Sequence, residues 1–171
     1  LSILIFHRVL PQQDTLFPGE MHAERFDRLC GWVKRWFQVL PLGQAVAQLQ
    51  NGSLPARALA ITFDDGYADN HDVALPILQR HGLNATFYVA TGFLDGGRMF
   101  NDSVIEAIRH STLARIDLTG LGLNCPDTLD LVDAAQRRAT ISALLDAIKY
   151  RQLQERLQLV QAVAERADRK S

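Results

Sequence analysis

Short apolar runs alternate with longer stretches of helical periodicity over the first 110 residues. The runs Ser2–His7, Ala58–Phe63 and Ala85–Ala90 are apolar and β-prone, so each predicts a strand. Between and after these runs, apolar residues recur at helical spacing, which predicts helices over 23–37, 44–50, 73–81 and 102–110. Because strands buried on both faces read as continuous apolar runs, the alternation favours a parallel α/β architecture.

The pattern changes after residue 110. From 113 to 133 the chain is irregular, because Gly120, Gly122 and Pro126 interrupt any helix. Two amphipathic helices are predicted beyond it. The first would bury Ile141, Leu144, Leu145 and Ile148, and the second Leu153, Leu157, Val160 and Ala164. We therefore divide the chain into an α/β part, 1–110, and an all-helical insertion or lid, 111–171, which is not an independent domain.

Composition and charge exclude several classes of partner. The net charge of −1 offers no electrostatic basis for binding nucleic acid or an anionic membrane. No apolar run approaches the roughly 20 residues of a transmembrane helix. Cys30 falls on the apolar face of the first helix and is predicted to be a core residue, and two cysteines make neither a disulfide framework nor a zinc knuckle. Cellular compartment and oligomeric state stay undetermined.

The strongest chemical signal follows the second predicted strand. Residues 61–67 read Ile-Thr-Phe-Asp-Asp-Gly-Tyr, so Asp64 and Asp65 stand together where the strand ends. Two adjacent carboxylates repel each other, and burying them is costly unless a cation or a shared proton compensates. Asp-Asp-Gly also suits a plain turn or helix cap. In parallel α/β folds, however, chemistry collects at the carboxyl ends of strands, and His7 and the loop 91–99 belong to the same end.

The stretch Ile61–Tyr67 resembles the first motif of the polysaccharide deacetylase (NodB-homology) family. Phe6–Val9 and Ala85–Val89 match the usual companions of that motif, and Ala90–Gly97 looks like a subgroup with a helical insertion before its next barrel strand. The resemblance implies the N-terminal part of a distorted (β/α) barrel, followed by an α-helical insertion. It also implies a hydrolase that removes N- or O-linked acetyl groups from a polysaccharide or oligosaccharide, using a divalent metal, often zinc.

Carried over residue by residue, the resemblance makes Asp64 the general base and Asp65 a metal ligand. The family's other ligands come from a His-x-x-x-His motif, and this spacing is absent from the histidines here, which are His7, His22, His71, His81 and His110. We therefore expect an N-terminal portion of a longer deacetylase, metal-poor and inactive by itself. The alternative is a degenerate deacetylase-like domain that binds glycans or proteins without turnover.

Other residues carry weaker signals. His7 would orient Asp64 or line a substrate groove, or else simply pack, and Tyr67 would contact sugar or pack under its loop. Trp32 and Trp36 lie one helical turn apart and are expected to pack against the barrel rather than to stack on sugar. Other enzyme classes fail on spacing: adjacent aspartates do not fit an Asp-x-Asp phosphatase, and the chain has neither a phosphate-binding glycine loop nor a Gly-x-Ser-x-Gly elbow.

Overall fold

A computed structural model describes residues 1–168. These form two compact units, Leu1–Leu94 and the described residues from Asp95 onward. Residues 169–171, the end of the predicted insertion, lie outside the described residues. The predicted division at residue 110 stays a prediction; the helix that precedes it, Phe100–His110, packs on helices of the second unit.

The first unit contains the three strands and the three helices that the apolar pattern predicts for it, together with a further two-residue strand and two short helical turns. They are β1 (Ser2–Phe6), α1 (Ala23–Trp36), β2 (Gln38–Val39), α2 (Leu42–Gln50), β3 (Ala58–Phe63), a π-helical turn (Asn70–Ala74) that continues into α3 (Leu75–His81), β4 (Thr86–Phe87) and a 3₁₀ turn (Thr91–Phe93). The prediction for β4, 85–90, is too long. After Phe87 two backbone bonds still reach β3 and the turn that follows it: the Tyr88 N–H donates to the Phe63 carbonyl at 2.8 Å, and the Ala90 N–H donates to the Asp65 carbonyl at 3.3 Å.

Strand β3 is the centre of a parallel sheet. Strand β1 pairs along one of its edges, from Ser2 opposite Leu59 to Phe6 opposite Phe63. The other edge of β3 is shared, with β2 at its amino end and β4 at its carboxyl end. All six residues of β3 are buried, as its continuous apolar run predicts. Within the described residues the sheet is open, so the barrel that the resemblance implies stays a prediction.

The core of the first unit lies between the sheet and the helices α1 and α3. It contains Phe26, Cys30 and Val33 from α1, Leu59, Ile61 and Phe63 from β3, and Ile77 and Leu78 from α3. Full burial of such large apolar side chains stabilises a fold by about 1.5–3 kcal/mol each. Cys30 is a core residue, as predicted. The packing predicted for Trp32 and Trp36 is wrong for the described structure, since they are 63% and 54% exposed.

The second unit mixes helices with a small antiparallel sheet. Its elements are α4 (Phe100–His110), β5 (Arg115–Asp117), β6 (Thr128–Asp130), α5 (Ala134–Ile148) and α6 (Leu153–Asp168). The prediction of an irregular 113–133 segment in an all-helical region is therefore wrong. Each three-residue strand contributes one apolar residue, Ile116 or Leu129, which leaves no periodic signal to read. The pairing instead includes a salt bridge between Arg115 and Asp130 at 2.8 Å.

The two closing helices differ in how well the sequence predicts their buried faces. Helix α5 buries Ile141, Leu144 and Ile148, as predicted, whereas Leu145 is half-buried. Helix α6 buries Leu159, Val163 and Ala167, whereas of the residues predicted to be buried Val160 and Ala164 are half-buried and Leu153 and Leu157 are exposed. Its sequence contains two overlapping apolar stripes, and packing against α4 selects one of them. None of the helices in the described part of the chain combines the length and apolarity that a membrane crossing requires.

Candidate active site at the carboxyl end of the sheet

Three residues, His7, Asp64 and Tyr88, lie at the same level where their strands end. The Asp64 N–H donates to the Phe6 carbonyl at 2.9 Å, so Asp64 follows β3 where His7 follows β1. On the other edge of β3, the bond from the Tyr88 N–H to the Phe63 carbonyl brings Tyr88 to this level. His7 and Tyr88 are exposed, and Asp64 and Asp65 are half-buried. The doublet therefore lies at the carboxyl edge of the sheet with part of its surface open to solvent.

A row of phenyl rings supports this edge from the core. Phe63 stacks on Phe6 and on Phe87, with ring centres 5.3 and 4.8 Å apart, and Phe26 meets Phe6 and Phe63 edge-on. Such aromatic pairs add about 0.5–1.5 kcal/mol each beyond the area they bury. Because side chains alternate along a strand, the residues that follow this row belong to the opposite face of the sheet. The residue before Asp64 is thus rigidly packed.

The turn after Asp64 is conformationally strained. Asp65 has φ 73°, in the left-handed region that residues with a Cβ rarely adopt, and Gly66 follows at φ 72°. The Gly66 N–H donates to the Asp64 carbonyl at 3.0 Å, and the Ala90 N–H donates to the Asp65 carbonyl at 3.3 Å. Left-handed conformation costs about 1–2 kcal/mol for an ordinary residue, and less for aspartate. Strain of this kind concentrates at functional sites.

Two residues that sequence reasoning did not select, Arg8 and Asp69, flank the turn. Arg8 donates from Nε and Nη2 to Asp69 Oδ2, each at 2.8 Å, and the Val9 N–H donates to Asp69 Oδ1 at 3.2 Å. The Arg8 guanidinium also lies 4.5 Å from the centre of the Tyr67 ring. Tyr67 is thus half-buried beside a cation. The sequence signal that could have identified Arg8 is its position directly after His7, within the segment Phe6–Val9 that matches the companions of the motif.

A small cavity of about 220 Å³ adjoins the turn. It is lined by Gly66, Tyr67, Asn70, His71, Leu75, Phe87 and Val89. Asn70 is 3% exposed, and both polar atoms of its side chain have no hydrogen-bond partner among the described residues. An unsatisfied buried polar group costs about 1–3 kcal/mol. The amide of Asn70 is therefore an unexplained polar group in the lining of the cavity beside the turn.

The histidines do not assemble around the doublet. Three of them contact acidic side chains other than the doublet: His71 with Asp72 at 2.8 Å, His81 with Asp27 at 2.9 Å and His110 with Glu106 at 3.1 Å. Within residues 1–168 no group of three or more histidine, cysteine or acidic side chains is arranged to hold a metal ion. A zinc site takes at least three protein ligands. The described residues therefore do not fit a divalent metal by themselves, although Asp64 and Asp65 are suitable donors.

Comparison with known proteins connects this site to a family. Residues 51–121, which include the doublet, match the family model described as Polysaccharide deacetylase. YxkH of Bacillus subtilis (strain 168), which carries the name of a polysaccharide deacetylase, is 30% identical over 130 residues. The resemblance to the polysaccharide deacetylase family is confirmed. The match covers 71% of this chain but only 45% of YxkH, so the chain spans less than half of that relative.

Two solved structures show that the fold is shared. The Streptococcus pyogenes deacetylase PplD, solved in complex with acetate, is 19% identical, with a TM-score of 0.50 over 96% of this chain and 80% of PplD. IcaB from Ammonifex degensii is 15% identical, with a TM-score of 0.51 over 95% of this chain and 79% of IcaB. At these identities the likeness concerns the fold alone. The chain has an α/β fold similar to that of deacetylase structures.

Proposed function

We propose that the protein containing these residues is a hydrolase that removes N- or O-linked acetyl groups from a polysaccharide or a related glycan. The observation that carries this proposal is the Asp64–Asp65 doublet, half-buried at the carboxyl edge of a parallel sheet with Asp65 in a strained conformation. The family resemblance supports it. Acetate, the molecule bound to the PplD relative, is the product that this reaction releases.

In the proposed reaction Asp64 acts as general base. Its carboxylate takes a proton from water while the water oxygen attacks the acetyl carbonyl carbon. The bond from that carbon to the sugar nitrogen or oxygen then breaks, the leaving atom takes the proton that Asp64 holds, and acetic acid is released together with the free amine or hydroxyl and ionises to acetate. A positioned general base contributes about 10²–10⁴-fold to the rate. His7 and Tyr67, which flank the doublet, are proposed to line the substrate groove.

Asp65 is proposed as a ligand of a divalent metal, zinc in the first instance. Zinc bound by protein ligands polarises a carbonyl and activates water. Because residues 1–168 contain no group of three side chains arranged to hold a metal and the match covers 45% of YxkH, the proposal assigns the ligands other than Asp65 to residues outside those described. In this view the first unit forms the N-terminal part of a distorted barrel, and 111–171 is an insertion in it.

Replacing each aspartate by asparagine in the full-length protein tests these roles. Asp64→Asn is expected to lower kcat for acetate release from an acetylated glycan by about 10²–10⁴-fold and to leave bound zinc unchanged. Asp65→Asn is expected to lose both zinc, measured by elemental analysis, and activity. Asp72→Asn is the matched control, because Asp72 is an exposed carboxylate on the same segment, and it should stay within about twofold of wild type.

Two outcomes would overturn the proposal. Acetate release that stays within about twofold of wild type in both doublet variants would show that the reaction, if present, uses other groups. A wild-type protein that binds acetylated glycans but releases no acetate would favour the non-catalytic binding domain instead.

A further inference from the structure

We propose that Arg8 is a positioning residue, which holds the Asp64–Asp65 turn in its strained conformation by acting through Asp69. The effect of Arg8 on the turn is independent of any reaction. Its effect on catalysis rests on the proposed deacetylase function. Neither Arg8 nor Asp69 belongs to the motif Ile61–Tyr67, and the two residues are 61 positions apart in the chain.

The contacts join two loops through one carboxylate. Both oxygens of Asp69 are used, Oδ2 by Arg8 Nε and Nη2 at 2.8 Å and Oδ1 by the Val9 N–H at 3.2 Å. The Asp69 side chain is only 9% exposed, whereas that of Arg8 is 40% exposed. Charge-assisted hydrogen bonds of this kind are stronger than those between neutral groups. The segment after β1 and the segment after β3 are therefore fastened to each other.

The segment 64–69, which contains the strained turn, is held at both ends against residues 6–9. Its first residue, Asp64, donates its N–H to the Phe6 carbonyl, and its last, Asp69, binds Arg8 and Val9. Between these two attachments lies Asp65 at φ 73°. A strained conformation persists only where the surrounding structure over-determines it. Releasing the Asp69 end therefore gives the turn freedom to relax and moves the doublet from its place.

Arg8 is the partner that Asp69 depends on. Without the guanidinium, the nearly buried Asp69 carboxylate keeps the hydrogen bond from the Val9 N–H but loses its cation, and the uncompensated charge forces the loop to rearrange until water reaches it. The guanidinium also covers the Tyr67 ring, so its loss uncovers Tyr67, which is proposed to line the substrate groove. Misplacement of a catalytic group by about 1 Å is enough to lower a rate by roughly 100-fold.

The test compares Arg8→Ala and Arg8→Lys with a matched control in the full-length protein. Arg80→Ala is the control, because Arg80 binds Asp27 at the same 2.8 Å in the same unit but joins α1 to α3. Hydrogen exchange of the 66–70 amides reports the turn without any substrate. Arg8→Ala is expected to speed this exchange at least about tenfold and to lower kcat by about tenfold with little change in KM. Arg80→Ala should lower the unfolding midpoint but leave the exchange rate of the 66–70 amides and kcat unchanged.

Arg8→Lys separates charge from geometry. A lysine keeps the charge but cannot place two donors on one oxygen as the planar guanidinium does, so it should restore part of the protection and part of kcat. Arg8→Lys also tests the proposal if Arg8→Ala fails to fold. An exchange rate and a kcat both equal to those of wild type in Arg8→Lys would show that the guanidinium geometry does not position the turn.

The outcomes keep this proposal separate from the proposed function. Exchange of the 66–70 amides within about twofold of wild type in Arg8→Ala would overturn the positioning role, with or without activity. Faster exchange combined with an unchanged kcat would also overturn it. Faster exchange in a protein that releases no acetate in any form would support the attachment of the turn and refute the deacetylase function instead.

Discussion

Gly66 lies directly against Val89. A methyl group built at position 66 would come within 2.9 Å of Val89 Cγ1 and 3.2 Å of Val89 Cα. Gly66 also has φ 72°, so glycine is required there both for its conformation and for its size. The extension of β4 thus packs on the turn that carries the doublet, and the position of the turn depends on this contact.

Gly66→Ala should therefore be much more costly than an ordinary glycine substitution. The left-handed conformation costs about 1–2 kcal/mol and the overlap with Val89 about 1–3 kcal/mol more, which lowers the free energy of unfolding by about 2–5 kcal/mol in total. Gly52→Ala is the matched control, because Gly52 has φ 74° but no atom within 4 Å of the added methyl. It should lose about 1–2 kcal/mol. Equal losses in urea unfolding would contradict the close contact.

Asp65→Gly should abolish activity without lowering the free energy of unfolding. Glycine adopts positive φ without strain, but it also adds entropy to the unfolded chain, so the free energy of unfolding should be unchanged or up to about 1 kcal/mol higher. Activity and bound zinc should both be lost if Asp65 has the proposed role. The measurements are urea unfolding and acetate release on the same preparation. A clear loss of stability would show that the Asp65 side chain, rather than its backbone, supports the turn.

Asp27 should make stability depend on acid pH. Hydrogen bonds from Arg80 and then His81 hold the pKa of the Asp27 carboxyl below its usual value. Because a lowered pKa favours the ionised form in the folded state, the stabilisation is complete above the usual value near 3.9 and is lost as the pH falls through the lowered one. The gap in free energy of unfolding between wild type and Asp27→Asn should be present at pH 6 and shrink below about pH 4. A gap that is the same at pH 3 would rule out the charge as its cause.

Cys30 should resist thiol reagents in the folded protein. Burial raises the pKa of its thiol to about 11, and the side chain is 1% exposed, so almost no reactive thiolate reaches solvent near pH 8. Burial also raises the pKa of Cys125, but this residue is partly exposed. Iodoacetamide labelling with peptide mass spectrometry should therefore modify Cys125 first and Cys30 only in denaturant. Early labelling of Cys30 would contradict its place in the core.

Much of the first unit could be read from the chain. The bounds of β3 match the prediction residue for residue, because a buried parallel strand needs an unbroken apolar run and the charged doublet ends that run sharply. The same reasoning placed His7 and Asp64 at one end of the sheet, and the register of β1 and β3 brings them to one level. The roles of Asp64, Asp65, His7 and Tyr67 stay predictions.

The sequence by itself determined the elements whose signal is local: continuous apolar strands, the helix α1 with its buried cysteine, and the Asp-Asp-Gly turn. Only the tertiary structure decided which of two apolar stripes α6 buries, that β5 and β6 pair, and that Arg8 holds Asp69 from 61 residues away. The reason is physical. Periodicity reports which side of one element avoids water, whereas a salt bridge or a choice between equivalent faces depends on groups that only the folded chain brings together.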